Sequence, residues 1–223
     1  MQLVDSFLKK YEIYILIILV IIAGFFYFYK INQKPFVDYD EATYADVITD
    51  TIQSGDLLTL KRSGEAWFEK PPLYFWMAML SVKIFGENEY AMRSPSIVFS
   101  ILTLLFTYLI IKRFSGNVII TIFAFLILLF SPPYYYYSRE LRLDSGVVMS
   151  IMISLYSVIM GWEKKLFLLL TFPFIAIGFL FKSVIALLSL PIIFLFCLIY
   201  KQWNWIKAKY LWLGFFVGGI IVL

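Results

Sequence analysis

Apolar residues run along this chain in long blocks separated by short charged or proline-bearing breaks. The first block covers roughly Tyr11 to Tyr29 and follows Lys9 and Lys10. A spanning helix needs about 20 mainly apolar residues, so the block reads as a retained first helix. A signal peptide has a shorter apolar region and a small-residue cleavage site, whereas this block ends in Phe25, Phe26, Tyr27, Phe28 and Tyr29. Lys30 to Lys70 is the longest polar stretch. Leu73 to Phe85 is apolar for only 13 residues, a length that suits a helix lying in the interface or re-entering it. Further blocks at about Ala91 to Ile111, Val118 to Phe130 and Ser145 to Met160 predict three more spans.

Leu166 to Tyr200 contains one charge, Lys182. As one helix it would be about 50 Å long, against a hydrocarbon core of about 30 Å. The segment is therefore predicted to fold at Lys182 into two short helices, each kinked by a proline, Pro173 and Pro191. A last run begins near Tyr210 and reaches Leu223 with no polar flank, as expected of a chain cut inside a seventh span.

Composition agrees with this reading. Of 223 residues, 62% are hydrophobic and 15% charged, and the mean hydropathy is +0.85. Soluble domains are about 45–50% apolar and about 25% charged, so a water-soluble single domain is excluded. The expected fold is all-α, a polytopic membrane bundle over 1–223, with interfacial helices in an outer loop at 30–90. There is no histidine, and Cys197 is the single cysteine. This removes His-based acid–base chemistry, Ser-His triads, disulfides and Cys/His zinc sites.

The charges give the bundle two sides. With a cytoplasmic N-terminus, the inner segments hold Lys9, Lys10, Lys112, Arg113, Lys164, Lys165, Lys201, Lys207 and Lys209 against Asp5, Glu12 and Glu163. The other ten basic residues and twelve acids fall outside. Lysine and arginine favour short cytoplasmic loops, so the basic excess reports topology and not a nucleic-acid partner. The expected location is the plasma membrane, multi-pass, with any active site on the outer face.

Eight of the outer acids lie between Asp38 and Glu69. Asp38 and Glu41 have capping-box spacing, and Tyr44, Val47, Ile48 and Ile52 recur at helical spacing. A short amphipathic helix ending near Ser54-Gly55 is expected. Two readings stay open for the acids at its start: caps that complement the helix dipole, or a general base at Asp40 or Glu41. In Trp67-Phe68-Glu69-Lys70-Pro71-Pro72-Leu73-Tyr74, a helix should begin at Pro71 or Pro72. Lys70 then stands beside free N–H groups and either attracts a phosphate or snorkels to headgroups, paired with Glu69. Ser138 to Asp144 brings Arg139, Arg142 and Asp144 to the outer end of a span, where Arg142 and Asp144 pair only after a local rearrangement. Tyr134 to Tyr137 fit an aromatic belt. With Lys182 at the hairpin tip, Lys70, Arg139 and Arg142 put four cations on one face, enough to hold a lipid phosphate.

Asp40-Glu41-Ala42-Thr43-Tyr44, Gly55-Asp56, Phe68-Glu69-Lys70-Pro71-Pro72-Leu73-Tyr74-Phe75-Trp76, Phe85-Gly86 and Arg93-Ser94-Pro95-Ser96 follow one another in the order and spacing of a known family. Over roughly Phe36 to Arg113 the chain resembles the N-terminal part of GT-C membrane glycosyltransferases, in the branch of protein O-mannosyltransferases and lipid A aminoarabinose transferases. Arg142-Leu143-Asp144 resembles that branch's later Arg-x-Asp, and Lys182 falls where it often carries Thr-Lys-Gly. The resemblance implies an inverting hexosyl- or pentosyltransferase with a polyprenyl-phosphate sugar donor and, as acceptor, a hydroxyl or phosphate on a lipid, glycan or protein. It implies Asp40 as catalytic base, with Glu41 and Glu69 positioning acceptor or base. Lys70 would bind the donor phosphate, Arg142 and Asp144 would support the site, and Tyr44, Tyr74, Arg139 and Lys182 would complete substrate binding. An acid-rich loop permits a divalent cation and demonstrates none. Members are much longer, so a fragment, a partner-dependent half or a non-catalytic scaffold stays open, as does a lipid-linked-sugar transporter. Transporters place charges near the midplane of broken helices, whereas here only Lys182 interrupts a long apolar run and the other charges cluster outside.

Overall fold

The computed structural model describes residues 7–36, 38–201 and 203–223. Ten α-helices make up most of them: α1 Glu12–Phe28, α2 Tyr39–Ser54, α3 Leu73–Phe85, α4 Glu89–Ser115, α5 Val118–Leu129, α6 Pro132–Ser138, α7 Asp144–Met160, α8 Thr171–Lys182, α9 Ser189–Tyr200 and α10 Lys209–Val222. α4 is the central post, packed against α1, α3, α5 and α7. Ion pairs fix its basic end: Lys112 to Glu12 at 2.6 Å, and Arg113 to Glu163 at 2.5 Å. Its other end meets residues 30–90, and is called the loop end below.

The bundle is that of a membrane protein, as expected, with a difference in span lengths. Three helical stretches are long and apolar enough to cross a membrane, and α5 with α6, bent by 63°, makes a fourth if counted as one. Seven crossings were predicted. The expected spans over α7 and α10 are helices of only 17 and 14 residues, and the stretch Lys165–Tyr200 is a hairpin. Ala186 folds back beside Gly178, and Phe196 stacks on Trp162 with centroids 4.9 Å apart. The reversal occurs at Lys182-Ser183, where Ser183 has φ 46°.

The prolines do something other than kink the two limbs. Pro173 and Pro191 each sit in the first turn of an α-helix, preceded by a 3-10 stretch, Lys165–Leu170 and Ser183–Leu188. Proline lacks an N–H and clashes with the carbonyl four residues back, so regular α-bonding cannot extend upstream through it. Because 3-10 helix rises about 2 Å per residue, each limb of six plus twelve residues reaches about 30 Å, the hydrocarbon thickness. The carbonyl that Pro173 leaves without its helical donor, Leu169 O, is where α10 comes closest. A Cβ on Gly214 would lie 2.5 Å from it, and one on Gly218 would lie 2.9 Å from Phe172 O. Small residues four apart let backbones approach this way.

The loop is more structured than its polarity indicates. Asp38 caps α2 by accepting from the Asp40 N–H, and Gly55 ends it at φ 74°. The predicted capping box is half present, because Glu41 points inward (below). A two-stranded hairpin, β1 Lys61–Arg62 with β2 Glu65–Ala66, is a strand element that was not predicted. Its turn residues Ser63 and Gly64 both have positive φ, as tight hairpin turns require. Thr51 and Asp50 of α2 accept from the Lys61 and Ser63 amides, which docks the hairpin. α3 starts at Leu73 with Pro72 as its N-cap, one residue later than expected.

The glycine contact gives a test. Gly214→Val should destabilise the protein by about 1–3 kcal/mol through overpacking. Gly219→Val, which meets nothing within 4 Å, should change stability by under about 0.5 kcal/mol. Thermal unfolding of both in detergent checks this, and equal effects would contradict the packing described.

Candidate active site

The loop end is organised by one guanidinium. Arg93 lies on α4, 1% exposed, and all five of its N–H positions are used. Nε and Nη2 donate to the two oxygens of Glu41 at 2.7 and 2.8 Å. Nη1 donates to the Ile31 and Lys34 carbonyls, and Nη2 also to Pro35 O. Glu41, also 1% exposed, accepts a further bond from the Leu141 amide at 2.9 Å. The link between α1 and α2, the start of α2 and the turn after α6 are thus tied to one side chain.

The second anchor is Ser96, one turn further along α4. Its hydroxyl meets Tyr74 Oη at 2.6 Å, donates to the Arg142 carbonyl and accepts from the Arg142 amide. With the backbone held at both atoms, the Arg142 side chain reaches Asp38 at 2.7 Å and Glu140 at 2.8 Å. Asp144, two residues on, pairs instead with Lys182 of α8 at 2.6 Å. Arg142 and Asp144 do not pair with each other, in keeping with their spacing; their side chains go to different elements.

Tyr44 is the point of convergence. Its ring is buried against Trp67 and Phe75 in edge-on contacts. Its hydroxyl is pushed up to about 12, first by burial and then by the charges of Asp40, Asp144 and Glu69, with Arg142 opposing. Four of the predicted site residues therefore act on one phenol. Asp40 and Glu69 are exposed, and neither they nor Lys70 have an ion-pair partner among the described residues. The Glu69–Lys70 pair that belonged to the snorkelling alternative is not formed. Beside Arg142 and Asp144 opens a cavity of about 500 Å³ lined by Ser100, Thr103, Tyr134, Tyr137, Ser145 and Val148.

Three expected roles need correction. Glu41 is sealed under the loop with both oxygens occupied, so it anchors and does not face a substrate. Tyr74 is fully buried, with its hydroxyl shared between Ser96 and the Met92 carbonyl, so it supports the backbone at Arg142. Arg139 turns away from Arg142 and lines a second cavity with Lys30 and Lys34. The tyrosine run also differs from a plain belt: Tyr135, Tyr136 and Tyr137 carry Arg139, Lys34 and Arg142 over their rings. Arg93, Ser96 and Glu140 had no predicted role. A cation inside an apolar helix was the available signal for Arg93.

The acids do not gather as a cation site. Among the described residues no three Asp, Glu, His or Cys side chains come within ligating reach of one point. Asp38, Glu140 and Asp144 each already face a cation.

An all-helical membrane bundle with unpaired carboxylates and a lysine at one end defines the class. The chain belongs to the dolichyl-phosphate-mannose-protein mannosyltransferase family, whose signature matches residues 69–223. It is 30% identical over 149 residues to an uncharacterised protein of Aquifex aeolicus (strain VF5), covering 67% of this chain and 29% of that one. It is 32% identical over 96 residues to the undecaprenyl phosphate-alpha-4-amino-4-deoxy-L-arabinose arabinosyl transferase of Pseudomonas paraeruginosa (strain DSM 24068 / PA7), covering 43% and 18%. The crystal structure of ArnT from Cupriavidus metallidurans bound to undecaprenyl phosphate has the same fold, with TM-score 0.82 and 21% identity over 92% of this chain and 39% of that one. The chain thus spans less than half the length of these relatives.

Arg93→Met should cost about 3–5 kcal/mol, since it leaves a buried carboxylate unpaired, and should speed tryptic cleavage at Lys61 and Arg62. The double variant Arg93→Met, Glu41→Leu should recover part of that loss in thermal unfolding. A cost below about 1 kcal/mol, the range of a surface pair, would remove Arg93 from the role of anchor.

Proposed function

We propose that the loop end is the catalytic face of a glycosyltransferase that moves a sugar from a polyprenyl-phosphate donor to an acceptor hydroxyl. The observation that carries this reading is that Asp40, Glu69 and Lys70 have no ion-pair partner among the described residues, while Arg142 and Asp144 at the same end of the bundle line a cavity of about 500 Å³. Lys70 stands just before α3. Its neighbours Trp67 and Phe75 pack on Tyr44, and Glu69 acts on the Tyr44 hydroxyl. The curated relatives named as undecaprenyl-phosphate aminoarabinose transferases support the donor class.

Asp40 accepts the proton of the acceptor hydroxyl as its oxygen attacks the anomeric carbon. The bond from that carbon to the phosphate oxygen breaks, and the electron pair leaves with the polyprenyl phosphate. One displacement inverts the anomeric configuration. Base catalysis and leaving-group stabilisation are both electrostatic tasks, which suits a chain without histidine. Lys70 meets the developing negative charge on the phosphate, with α3 opening behind it: the first intrahelical bond runs from Trp76 N–H to Pro72 O. Lys182 and Arg142 hold Asp144 and Asp38 in place. Glu41 acts as a positioning residue through Arg93 and Leu141. Transport without covalent change is not favoured, since these charges collect at one end of the bundle.

The loop end faces the outside of the plasma membrane in this reading, supported by the basic residues at the opposite end. α3 and the segment before the hairpin then lie in the headgroup layer, exposing Leu57, Leu58, Trp76 and Leu80 to it. The acceptor, whether lipid, glycan or protein, docks from this side.

In sugar transfer from a polyprenyl-phosphate donor, Asp40→Asn should lower kcat by about 10²–10⁴-fold, the usual contribution of a general base. Lys70→Ala should raise the donor KM by about tenfold or more, as loss of a charged hydrogen bond implies. Normal rates in both variants would remove these residues from the reaction. For orientation, a membrane-impermeant maleimide applied to whole cells should label Glu65→Cys and spare Lys164→Cys in a Cys197→Ala background; the reverse pattern would invert the topology.

A further inference from the structure

α6 has two faces. Tyr134, Tyr137 and Ser138 line the larger cavity, while Tyr135, Tyr136 and Arg139 line a smaller one of about 200 Å³ that shares no residue with it. The remaining walls of the smaller cavity are Lys30, Ile31, Lys34, Arg93 and Glu140. Its charges do not balance. Glu41 neutralises Arg93, and Glu140 is divided between Lys34 at 3.3 Å and Arg142 at 2.8 Å. Lys30 and Arg139 have no carboxylate partner among the described residues.

Arg139 is the informative side chain. It donates to the Tyr29 carbonyl at 2.5 Å and to the Tyr135 hydroxyl. Its Nε is shielded from solvent and has no acceptor among the described residues. A buried charged donor left without an acceptor is costly and calls for an explanation. Burial and the like charge of Arg93 both work against its protonated form. Lys30 adds a second cost: it closes α1 at φ 55°, a conformation unusual for a residue with a Cβ. Lys30 lines the cavity together with Tyr135 and Tyr136 of α6.

We propose that this cavity is an anion site that takes a phosphate group, separate from the donor phosphate bound near Lys70. Phosphate oxygens supply the negative charge that Lys30 and Arg139 leave unbalanced in this cavity. Guanidinium and ammonium groups together favour phosphate over a carboxylate of single charge. The group comes from a lipid headgroup or from free phosphate. A bound phosphate competes with Glu140 for Lys34. It thereby frees Glu140 for Arg142, so occupancy reaches the larger cavity through one carboxylate. The site stands independently of the transfer reaction.

The test uses the full chain in neutral-detergent micelles, with acetylation rates of individual lysines read by mass spectrometry. Inorganic phosphate and phosphatidic acid are the two probes. At least one should slow acetylation of Lys30 and Lys34 severalfold and leave Lys83, on the outer side of α3, unchanged. Protection by phosphatidic acid alone assigns a lipid headgroup, and protection by inorganic phosphate alone assigns the free ion. Arg139→Gln should abolish the protection. Lys30→Ala, which removes no hydrogen bond or ion pair to a described residue, should abolish it at Lys34 and guards against a folding defect in the first variant. No protection by either probe, or protection undiminished in both variants, overturns the proposal.

Discussion

Everything at the loop end hangs on a guanidinium withdrawn from water. Taking Arg93 and Glu41 into the interior costs several kcal/mol per ion, and the cost is offset only because every donor of the arginine finds an acceptor. Such a pair contributes little net stability compared with apolar packing. What it contributes is position. Three segments distant in sequence must meet this one group for it to be satisfied, and a shifted register would leave a buried charge bare. The apolar cluster beneath, with Tyr44, Tyr74, Phe75, Leu141 and Phe181, then has a fixed roof against which to close.

The polar layer above is a set of shared carboxylates. Glu140 serves two cations, Asp38 caps α2 and also holds Arg142, and Asp144 holds Lys182. Asp40, Glu69 and Lys70 stand out because they are not spent in this way. Lacking histidine, the chain separates charges that hold the frame from charges that stay available.

Span positions were legible because block length and hydropathy are local properties. The fold at Lys182 followed from length alone: a stretch of 35 residues with a single charge exceeds the bilayer as one helix. The role of Pro173 and Pro191 was not legible as a kink, since their effect depends on the 3-10 stretch that forms before each. The Ser63-Gly64 hairpin was missed because two-residue strands carry no periodicity. For the site, Asp40, Glu69 and Lys70 were found from residue type and neighbours. Glu41 was misjudged because its partner lies 52 residues away, and Tyr74 because burial of an aromatic cannot be read from its immediate sequence. Arg142 and Asp144 were placed together at the outer end of a span, but their actual partners were not legible, because Ser96 and α8 decide where each points.

The long separation between Glu41 and Arg93 also has a meaning in time. Chains emerge at about 5–20 residues per second, so α2 exists for some 3–10 s before its counter-charge is made. Lys182 follows Asp144 by a further 38 residues. During synthesis the acidic loop is therefore a hydrated, unanchored segment while the first helix is already placed. The delay leaves that segment without its buried lock until the start of α4 has been made.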